Sequence, residues 1–435
     1  MKIRSFSGGI HIAQFKEFTY NNLVKKVMPI RDQEMIYPMS QHIGEPCVPI
    51  VKIGESVFEG QKIADSNFFI SSPIHSSVSG TVIDIRDILM PSGFNCKAVV
   101  VKSDGMQNPG GLMHIEREIN RLSKECILEK IKDAGIVGLG GAGFPTHIKL
   151  NPPSDKKIDY IIANGAECEP YLISDHSLML EQADKLIEGL RIIMSLHKGA
   201  KGIIAVESNK PDVIRLLESK CRDILNIEIA VLSTKYPQGS ERQIVYSCIG
   251  REVPLNGFPM DVCCIVINVA TIAAIHDAVL RSRPLLSRIV TINGNSVVKN
   301  GSYRVLLGTQ LKDLLDATDN SNIDSTCKII SGGPMMGQAI FDINTPVVKT
   351  SSAFLFFEKQ QSEALPEQAC IRCGRCVSVC PMDLMPLFLN MDVYNDNIER
   401  FKKGRGSDCI ECGSCSYVCP SGRHLVQSIS VGKTS

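Results

Sequence analysis

Eight of the seventeen cysteines fall into two runs with one spacing: Cys370-x2-Cys373-x2-Cys376-x3-Cys380-Pro381 and Cys409-x2-Cys412-x2-Cys415-x3-Cys419-Pro420. No other feature of the 435 residues constrains folding as tightly. Three thiolates separated by two residues wrap three corners of one iron-sulfur cubane, while the fourth is carried towards the neighbouring cluster. That rule assigns ligands crosswise. Cys370, Cys373, Cys376 and Cys419 go to one 4Fe-4S cluster, and Cys409, Cys412, Cys415 and Cys380 to the other. A pair of zinc knuckles is the alternative, but zinc sites take four ligands as two spaced pairs and often include His.

Between the runs, residues 386–403 offer Leu387, Phe388, Leu389, Met391, Val393, Ile398 and Phe401, enough apolar positions for a helix packed over the clusters. The module resembles the bacterial two-cluster ferredoxin fold. Such clusters pass one electron at a time, so they need a source or a sink. The other nine of the seventeen cysteines, among them Cys168 and the adjacent Cys263 and Cys264, have no ligand spacing. They read as buried thiols.

A chain of this length exceeds one ordinary core and implies three or four domains, on the order of 150 residues each. Hydrophobic residues at 44% and charged residues at 21% give the balance of folded domains throughout. Lys plus Arg number 47 against 46 for Asp plus Glu, so no basic excess invites nucleic acid as a partner. The opening MKIRSFSGGIHIAQF lacks the continuous apolar core of a secretion signal. The longest apolar stretch, Val262 to Ile275, contains Asn268 and falls short of the roughly 20 residues that span a bilayer. The reading is a cytoplasmic chain with no membrane span of its own, in which the cysteines are not a disulfide framework.

Gly138-Leu139-Gly140-Gly141-Ala142-Gly143 satisfies G-x-G-x-x-G, the fingerprint of Rossmann dinucleotide sites. Its context argues against that fold. Ile127 and Ile131 with the Lys and Glu residues between them predict an amphipathic helix ending at Gly135, where a Rossmann loop would follow a strand. Phe144-Pro145 then interrupts any following helix. Four glycines in six residues still let the backbone approach a flat or anionic group more closely than a Cβ would allow. A mobile surface loop is the ordinary alternative.

Gly138 to Lys149 (GLGGAGFPTHIK) resembles the flavin loop of the FMN-binding subunit of respiratory NADH dehydrogenases. Asn164-Gly165-Ala166-Glu167-Cys168-Glu169-Pro170 is similar to that family's N-A-D-E-S-E-P segment, and Tyr236, Gly239 and Glu241 to its Y-x-x-G-x-E segment. Asn268 and Thr271 match a further N-V-E-T motif. Leu139 stands for a basic residue of that family, Ala166 for an acidic one and Tyr171 for a glycine. With FSGGIH at Phe6 to His11, a barrel-sandwich pattern, YPQGSE, the Gly332 to Gly337 turn and the cysteine runs, the chain resembles the RnfC family, subunits of the Rnf-type ion-translocating ferredoxin:NAD oxidoreductases, over nearly its whole length.

That resemblance implies FMN and two 4Fe-4S clusters, with NAD(H) as substrate. The FMN site would draw on Gly138, Gly140, Gly141, Gly143, Phe144, Lys149, Asn164, Glu167, Glu169, Tyr236, Gly239, Glu241, Asn268 and Thr271. Glu169 and Lys149 are the candidate catalytic residues. A lysine ammonium suits the FMN phosphate or negative charge near reduced flavin; a solvated surface lysine is the alternative. Glu167, Glu169 and Glu241 would line the nucleotide side, where carboxylates bind ribose hydroxyls, unless simply solvated. Asn164, Asn268 and Thr271 offer neutral donors and acceptors, and Tyr236 would stack on a ring or serve as a core tyrosine.

The domains are expected at 1–110 (barrel-sandwich hybrid), 111–286 (α/β FMN/NAD(H) domain), 287–350 (β-grasp, SLBB-like) and 351–435 (helical two-cluster module), a multidomain α/β and β fold. Short alternating strands from about Gln41 to Ser103 resemble lipoyl carriers, but no lysine sits at a hairpin tip. Helices such as Ser177 to Leu196 alternate with strands such as Tyr160 to Ala163, Gly202 to Val206 and Ile265 to Val269. A short helix is expected at Thr309 to Asp316. Function follows: hydride exchange between NAD(H) and FMN, then single electrons to or from the clusters, because a flavin converts two-electron into one-electron chemistry. The protein would sit on the cytoplasmic face of the cell membrane, docked on integral partners that connect it to ferredoxin. A corrin reductase and a flavin-free ferredoxin-like relay are the rival readings.

Overall fold

The computed structural model describes residues 3–16, 24–110, 122–362 and 366–435. At its centre lies a four-stranded parallel sheet in the order Cys264–Asn268, Tyr160–Gly165, Lys201–Glu207, Ile227–Leu232. These strands are near-continuous apolar runs, as parallel strands covered on both faces must be. Successive residues go to opposite sides: Ile161 and Ala163 pack with Leu186, Leu190 and Ile272, and Ile162 packs with Ile244 and Val245.

The helix expected over Ser177 to Leu196 is two helices, Ser174–Glu181 and Ala183–Leu196, broken at Gln182 with φ −125°. The glycine-rich loop follows the helix Lys124–Asp133 and precedes one turn of helix, Thr146–Lys149. Val137 and Pro145 bridge its ends. This is the helix–loop context read from the sequence, not a Rossmann strand–loop–helix.

Residues 34–103 form two small antiparallel sheets, one of Glu34–Pro38, Asn95–Ser103, Gly80–Leu89 and Ser56–Val57, the other of Val48–Pro49, Lys62–Asp65 and Ile74–His75. Tyr37, Ile63, Ile74, Val82 and Val99 are buried between them. The residues before this barrel take another course. Residues 4–16 run along the α/β layer: the Arg4 amide donates to Val231 O at 2.9 Å and the Tyr171 amide to Gln14 O at 2.8 Å. Lys25–Lys26 then pairs with Tyr303 and Arg304 at the edge of a six-stranded mixed sheet.

In that sheet Ser287–Gly294 lies antiparallel to Gly301–Leu306 and parallel to Ala353–Glu358. Ala353–Glu358 is thus an interior strand, although it falls in the span 351–435 expected for the cluster module. Its run AFLFFE is buried at five of six positions. The accompanying helix is Leu311–Ala317.

The cluster module is a repeat with an offset of 39 residues. Its short helices Arg375–Ser378 and Ser414–Tyr417 correspond, as do the starts of the longer ones, Pro386–Tyr394 and Leu425–Thr434. The helix expected over residues 386–403 is interrupted at Asp396, whose φ is 54°, and resumes as Ile398–Lys403. Among the described residues no helix is long and apolar enough to cross a membrane.

Candidate functional site

In the parallel sheet the chain leaves Tyr160–Gly165 towards one side and returns to Cys264–Asn268 on the other. Ligands of open α/β sheets bind at the carboxyl ends of the strands at such a reversal. Asn164 and Asn268 are directly paired there. Asn268 caps the helix Val269–Arg281: its Oδ1 accepts from the Ala270 amide at 2.8 Å, and its Nδ2 donates to Asp175 Oδ2 at 2.8 Å. The Asn164 Nδ2 donates to Gly239 O at 2.8 Å and its Oδ1 accepts from the Ala166 amide.

The glycine loop is fastened above this edge. The Leu139 amide donates to Thr271 Oγ1 at 2.9 Å, and Leu139 O accepts from Arg288 Nη2 at 2.8 Å. The Gly138 amide donates to Phe144 O. A Cβ on Gly140 would come within 3.0 Å of the Asn268 side chain, whereas one on Gly141, at φ 151°, would meet nothing within 4 Å. The loop is tight on its protein side and open on the other, which is the shape a flat ligand needs. Lys149 pairs with Glu241 beside it, both partly exposed.

Other expected site residues are turned inward. Glu167 is buried and accepts from Ser174 Oγ and from the Asp175 amide at 2.9 Å, so it closes the start of the helix Ser174–Glu181. The two oxygens of Glu169 accept the Met335 and Met336 amides at 3.0 Å, inside the Gly332 to Gly337 turn. A Cβ on Gly333 would strike the Glu169 carboxyl, so that glycine permits the contact. Burial pushes the Glu169 carboxyl up to about 7, against the opposing pull of the two amides. Tyr236 does not present a stacking face: it is 1% exposed, and its hydroxyl donates to Cys412 O at 2.6 Å. These placements differ from the expectation that Glu167, Glu169 and Tyr236 face the nucleotide.

The cysteines are gathered in two sets. One pocket is lined by Cys380, Cys409, Cys412 and Cys415 together, drawing one residue from the first run and three from the second. Burial pushes the Cys376 thiol up, and Cys370 and Cys419 beside it push the same way. In both runs the backbone turns at matching places, with positive φ at Arg372 and Glu411 and at Gly374 and Gly413. The turns aim amides at sulfur: Arg372 to Cys370, Glu411 to Cys409, and Leu384 to Cys380, each at 3.4 Å. Among the described residues no three His, Cys, Asp or Glu side chains converge on a single metal ion. A cysteine-lined pocket with amides on its sulfurs fits a cluster.

Sequence reasoning passed over several participants. Asp175, half-buried beside Glu167 and held above the usual carboxylate range by desolvation, orients Asn268. Arg288, buried in an apolar strand, ties Leu139 O to Ser351 O; a lone arginine in such a run was the available signal. Tyr171 has φ 68° and stacks on Phe15 at 4.8 Å between centroids, which holds a tyrosine where the resembling family has glycine.

The Na(+)-translocating ferredoxin:NAD(+) oxidoreductase complex of Acetobacterium woodii contains a protein that is 40% identical over 433 residues, covering 100% of this chain and 97% of that one. The chain belongs to the RnfC family of ion-translocating ferredoxin:NAD oxidoreductases. A counterpart in the proton-translocating complex of Clostridium ljungdahlii is 42% identical over 92% of this chain and 87% of its own. Residues 4–106 match the RnfC barrel sandwich hybrid domain, residues 131–277 the Nuo51 FMN-binding domain and residues 369–423 the 4Fe-4S dicluster domain. This RnfC-family protein is accordingly an FMN and 4Fe-4S electron-transfer protein. An NAD+-reducing [NiFe]-hydrogenase structure in the H2-reduced state shares the fold over 71% of this chain and 61% of that one, with a TM-score of 0.52 and 18% identity.

Proposed function

We propose that this protein exchanges electrons between NAD(H) and a membrane-bound ion-translocating complex through FMN and two 4Fe-4S clusters. The carrying observation is that one edge of the protein holds both partners: the cleft between Asn164, Asn268 and the glycine loop, and the cysteine pocket joined to that edge through Tyr236 and Cys412. FMN held there would supply the conversion between hydride exchange with NAD(H) and single-electron transfer.

The chain's own residues do the rest. Gly140 and Gly141 open the face on which the ring lies, and Gly143 and Phe144 close the loop. Thr271 and Asn268 hold the loop from its protein side, and Asn164 and Gly239 brace the strand end beside it, so that the loop's free face is left to the ring and ribityl chain. Lys149 supplies positive charge for the phosphate, held in place by its pairing with Glu241 beside it. Glu169 and Glu167 act from behind, shaping the backbone rather than touching nucleotide. Cys370, Cys373, Cys376 and Cys419 hold one cluster; Cys380, Cys409, Cys412 and Cys415 hold the other, nearer the flavin. The mixed sheet of residues 287–358 serves as a β-grasp module. The protein docks peripherally on integral partners at the cytoplasmic face, and ferredoxin is reached through them. The match over the full length of the Acetobacterium woodii relative favours this reading over a corrin reductase.

The test is anaerobic purification with metal and flavin analysis. About eight iron atoms and one FMN per chain are expected, and NADH should bleach the flavin. Cys419→Ser should change the electron paramagnetic resonance of the cluster containing Cys370 and leave that containing Cys409 intact. The reverse pattern would overturn the crossed ligand sets.

A further inference from the structure

The sequence element FSGGIH has no place among the residues proposed to hold flavin or among the cluster ligands, yet its two apolar side chains are buried where the α/β layer meets the cysteine runs. Phe6 and Ile10 are 8% and 6% exposed. On one side the segment is bound to the α/β layer. Ile10 and Tyr236 exchange backbone hydrogen bonds at 2.8 Å, and His11 Nδ1 lies 3.1 Å from Thr234 O. The buried Lys235 ammonium donates to Phe6 O at 2.6 Å and to Gly8 O at 2.7 Å, and it sits 4.0 Å over the Phe6 ring.

On its other side the segment meets the cysteine run. The Gly9 amide donates to Val379 O at 2.9 Å, the residue before Cys380. Gly8, at φ 73°, lies so close that a Cβ there would stand 2.8 Å from Cys380 O and 3.2 Å from its carbonyl carbon. The α/β layer reaches the same module twice more, through Tyr236 to Cys412 O and through Gln243 Nε2 to Pro381 O at 3.0 Å. Ile10, Cys168, Tyr236 and Cys412 form one small buried apolar cluster with Val379 and Ile410 against it. Two of the four cysteines in the Cys380, Cys409, Cys412 and Cys415 pocket are thus gripped from the flavin-binding side, one of them across a backbone with no room for a side chain.

We propose that residues 6–11 are a positioning strap that seats the cluster of Cys380, Cys409, Cys412 and Cys415 against the flavin-binding domain and so sets the gap an electron crosses. The proposal rests on the cofactor placement given above. The strap touches neither reacting group. It acts through Val379 and Cys380, and the two glycines are there because only a bare backbone lets Tyr236 and Cys380 approach from opposite faces.

Gly8→Ala puts a methyl group against a rigid carbonyl, and Lys235→Met releases the strap without adding atoms at Cys380. Gly54→Ala is the control, at φ 87° with nothing within 4 Å. In the full chain with FMN and iron bound, NADH oxidation by ferricyanide, which takes electrons at the flavin, should stay at the wild-type rate in all three. Reduction of the cluster by NADH, followed by freeze-quench electron paramagnetic resonance, should slow about tenfold in Gly8→Ala and Lys235→Met, as small displacements of reacting groups do. The dithionite-reduced spectrum of the Cys409-containing cluster should shift in Gly8→Ala while the other cluster's does not, and this readout needs no flavin. Wild-type spectra and transfer rates in Gly8→Ala with iron retained would overturn the proposal. If Gly8→Ala fails to hold iron, an unchanged transfer rate in Lys235→Met overturns it instead. Absence of FMN from the wild-type protein would count against the functional reading and leave the spectral test of the strap standing.

Discussion

At the scale of single residues, the site places charged groups where solvent is absent and lets backbone amides steady them. Glu169 has a carboxyl pushed up to about 7 from an ordinary value of 4.5, by burial first, with the Met335 and Met336 amides pulling the other way. Between those two values the native protein keeps a proton that the unfolded chain has lost. Stability contributed by this group is therefore fully present below pH 4.5 and falls as pH rises towards 7. Glu169→Gln removes the titration but retains one acceptor for two amides. The variant should be less stable than wild type near pH 4.5 by about 1 kcal/mol, the worth of a hydrogen bond, and the difference should shrink towards pH 7. Urea midpoints across that range check it, and parallel curves would refute it. The sequence did not reveal this role, because an acidic residue beside a flavin-like motif looks the same whether it faces the ligand or the turn behind it. Tyr236 was obscure because its partner Cys412 is fixed by tertiary contact alone, and Glu167 because a carboxylate a few residues before a helix start looks the same whether it closes that helix or faces a ligand.

At the scale of elements, the cleft is the meeting of two strand ends, a capped helix and a loop. Much of that was legible. Alternating apolar strands and helices gave the parallel layer, because fully buried strands must be continuously apolar, and the two asparagines stood at the ends of such runs. What the chain could not disclose was register. The pairing of Asn164 with Asn268 depends on how two strands about 100 residues apart align, which no local pattern records. The same holds for Ala353–Glu358, whose six residues lie beyond the expected boundary at 350 yet complete the mixed sheet. Asn268 carries the cleft's most exacting local duty, since it caps Val269–Arg281 and also reaches Asp175. Asn268→Ala should cost about 1 kcal/mol through the cap alone, with additional loss from the half-buried Asp175 carboxyl left without its donor. FMN should bind more weakly while iron content stays at the wild-type level. Flavin titration of the apoprotein reads the first effect and metal analysis the second; wild-type flavin affinity would refute the placement of Asn268 on the cleft.

For the whole molecule, the question is what makes several domains behave as one frame for electron transfer. One answer is Lys349, a fully buried ammonium at the junction of the barrel, the α/β layer and the mixed sheet. Its Nζ donates to Pro73 O at 2.7 Å, Gly135 O at 2.8 Å and Ser72 Oγ at 3.3 Å. All three acceptors are neutral, so burial pushes the group down to about 7 from 10.5, with Cys47 and Asp65 pulling only weakly the other way. His75 and His42 face it with values lowered to about 3 and about 4, so both stay neutral above pH 7. Between pH 7 and 10.5 the unfolded chain binds a proton at Lys349 that the native protein has released, so this group makes stability rise with pH through that window. Cys47, pushed up to about 11 from 9.0, works in the opposite direction above pH 9, and Lys16, lowered by burial to about 8 from 10.5, adds a rise of its own above pH 8, which leaves pH 7 to 8 as the clean interval. The wild-type free energy of unfolding should rise across it relative to Lys349→Met, with a slope of up to about 1.4 kcal/mol per pH unit. The methionine variant keeps the volume and loses the titration, so its own profile should lack that rise. It should also leave the Pro73 and Gly135 carbonyls unpaired at the junction, and calorimetry should then resolve the barrel's transition from that of the α/β layer. A single transition with an unchanged pH slope in Lys349→Met would mean that the frame is held by its apolar contacts, and that the buried lysine is a passenger in it.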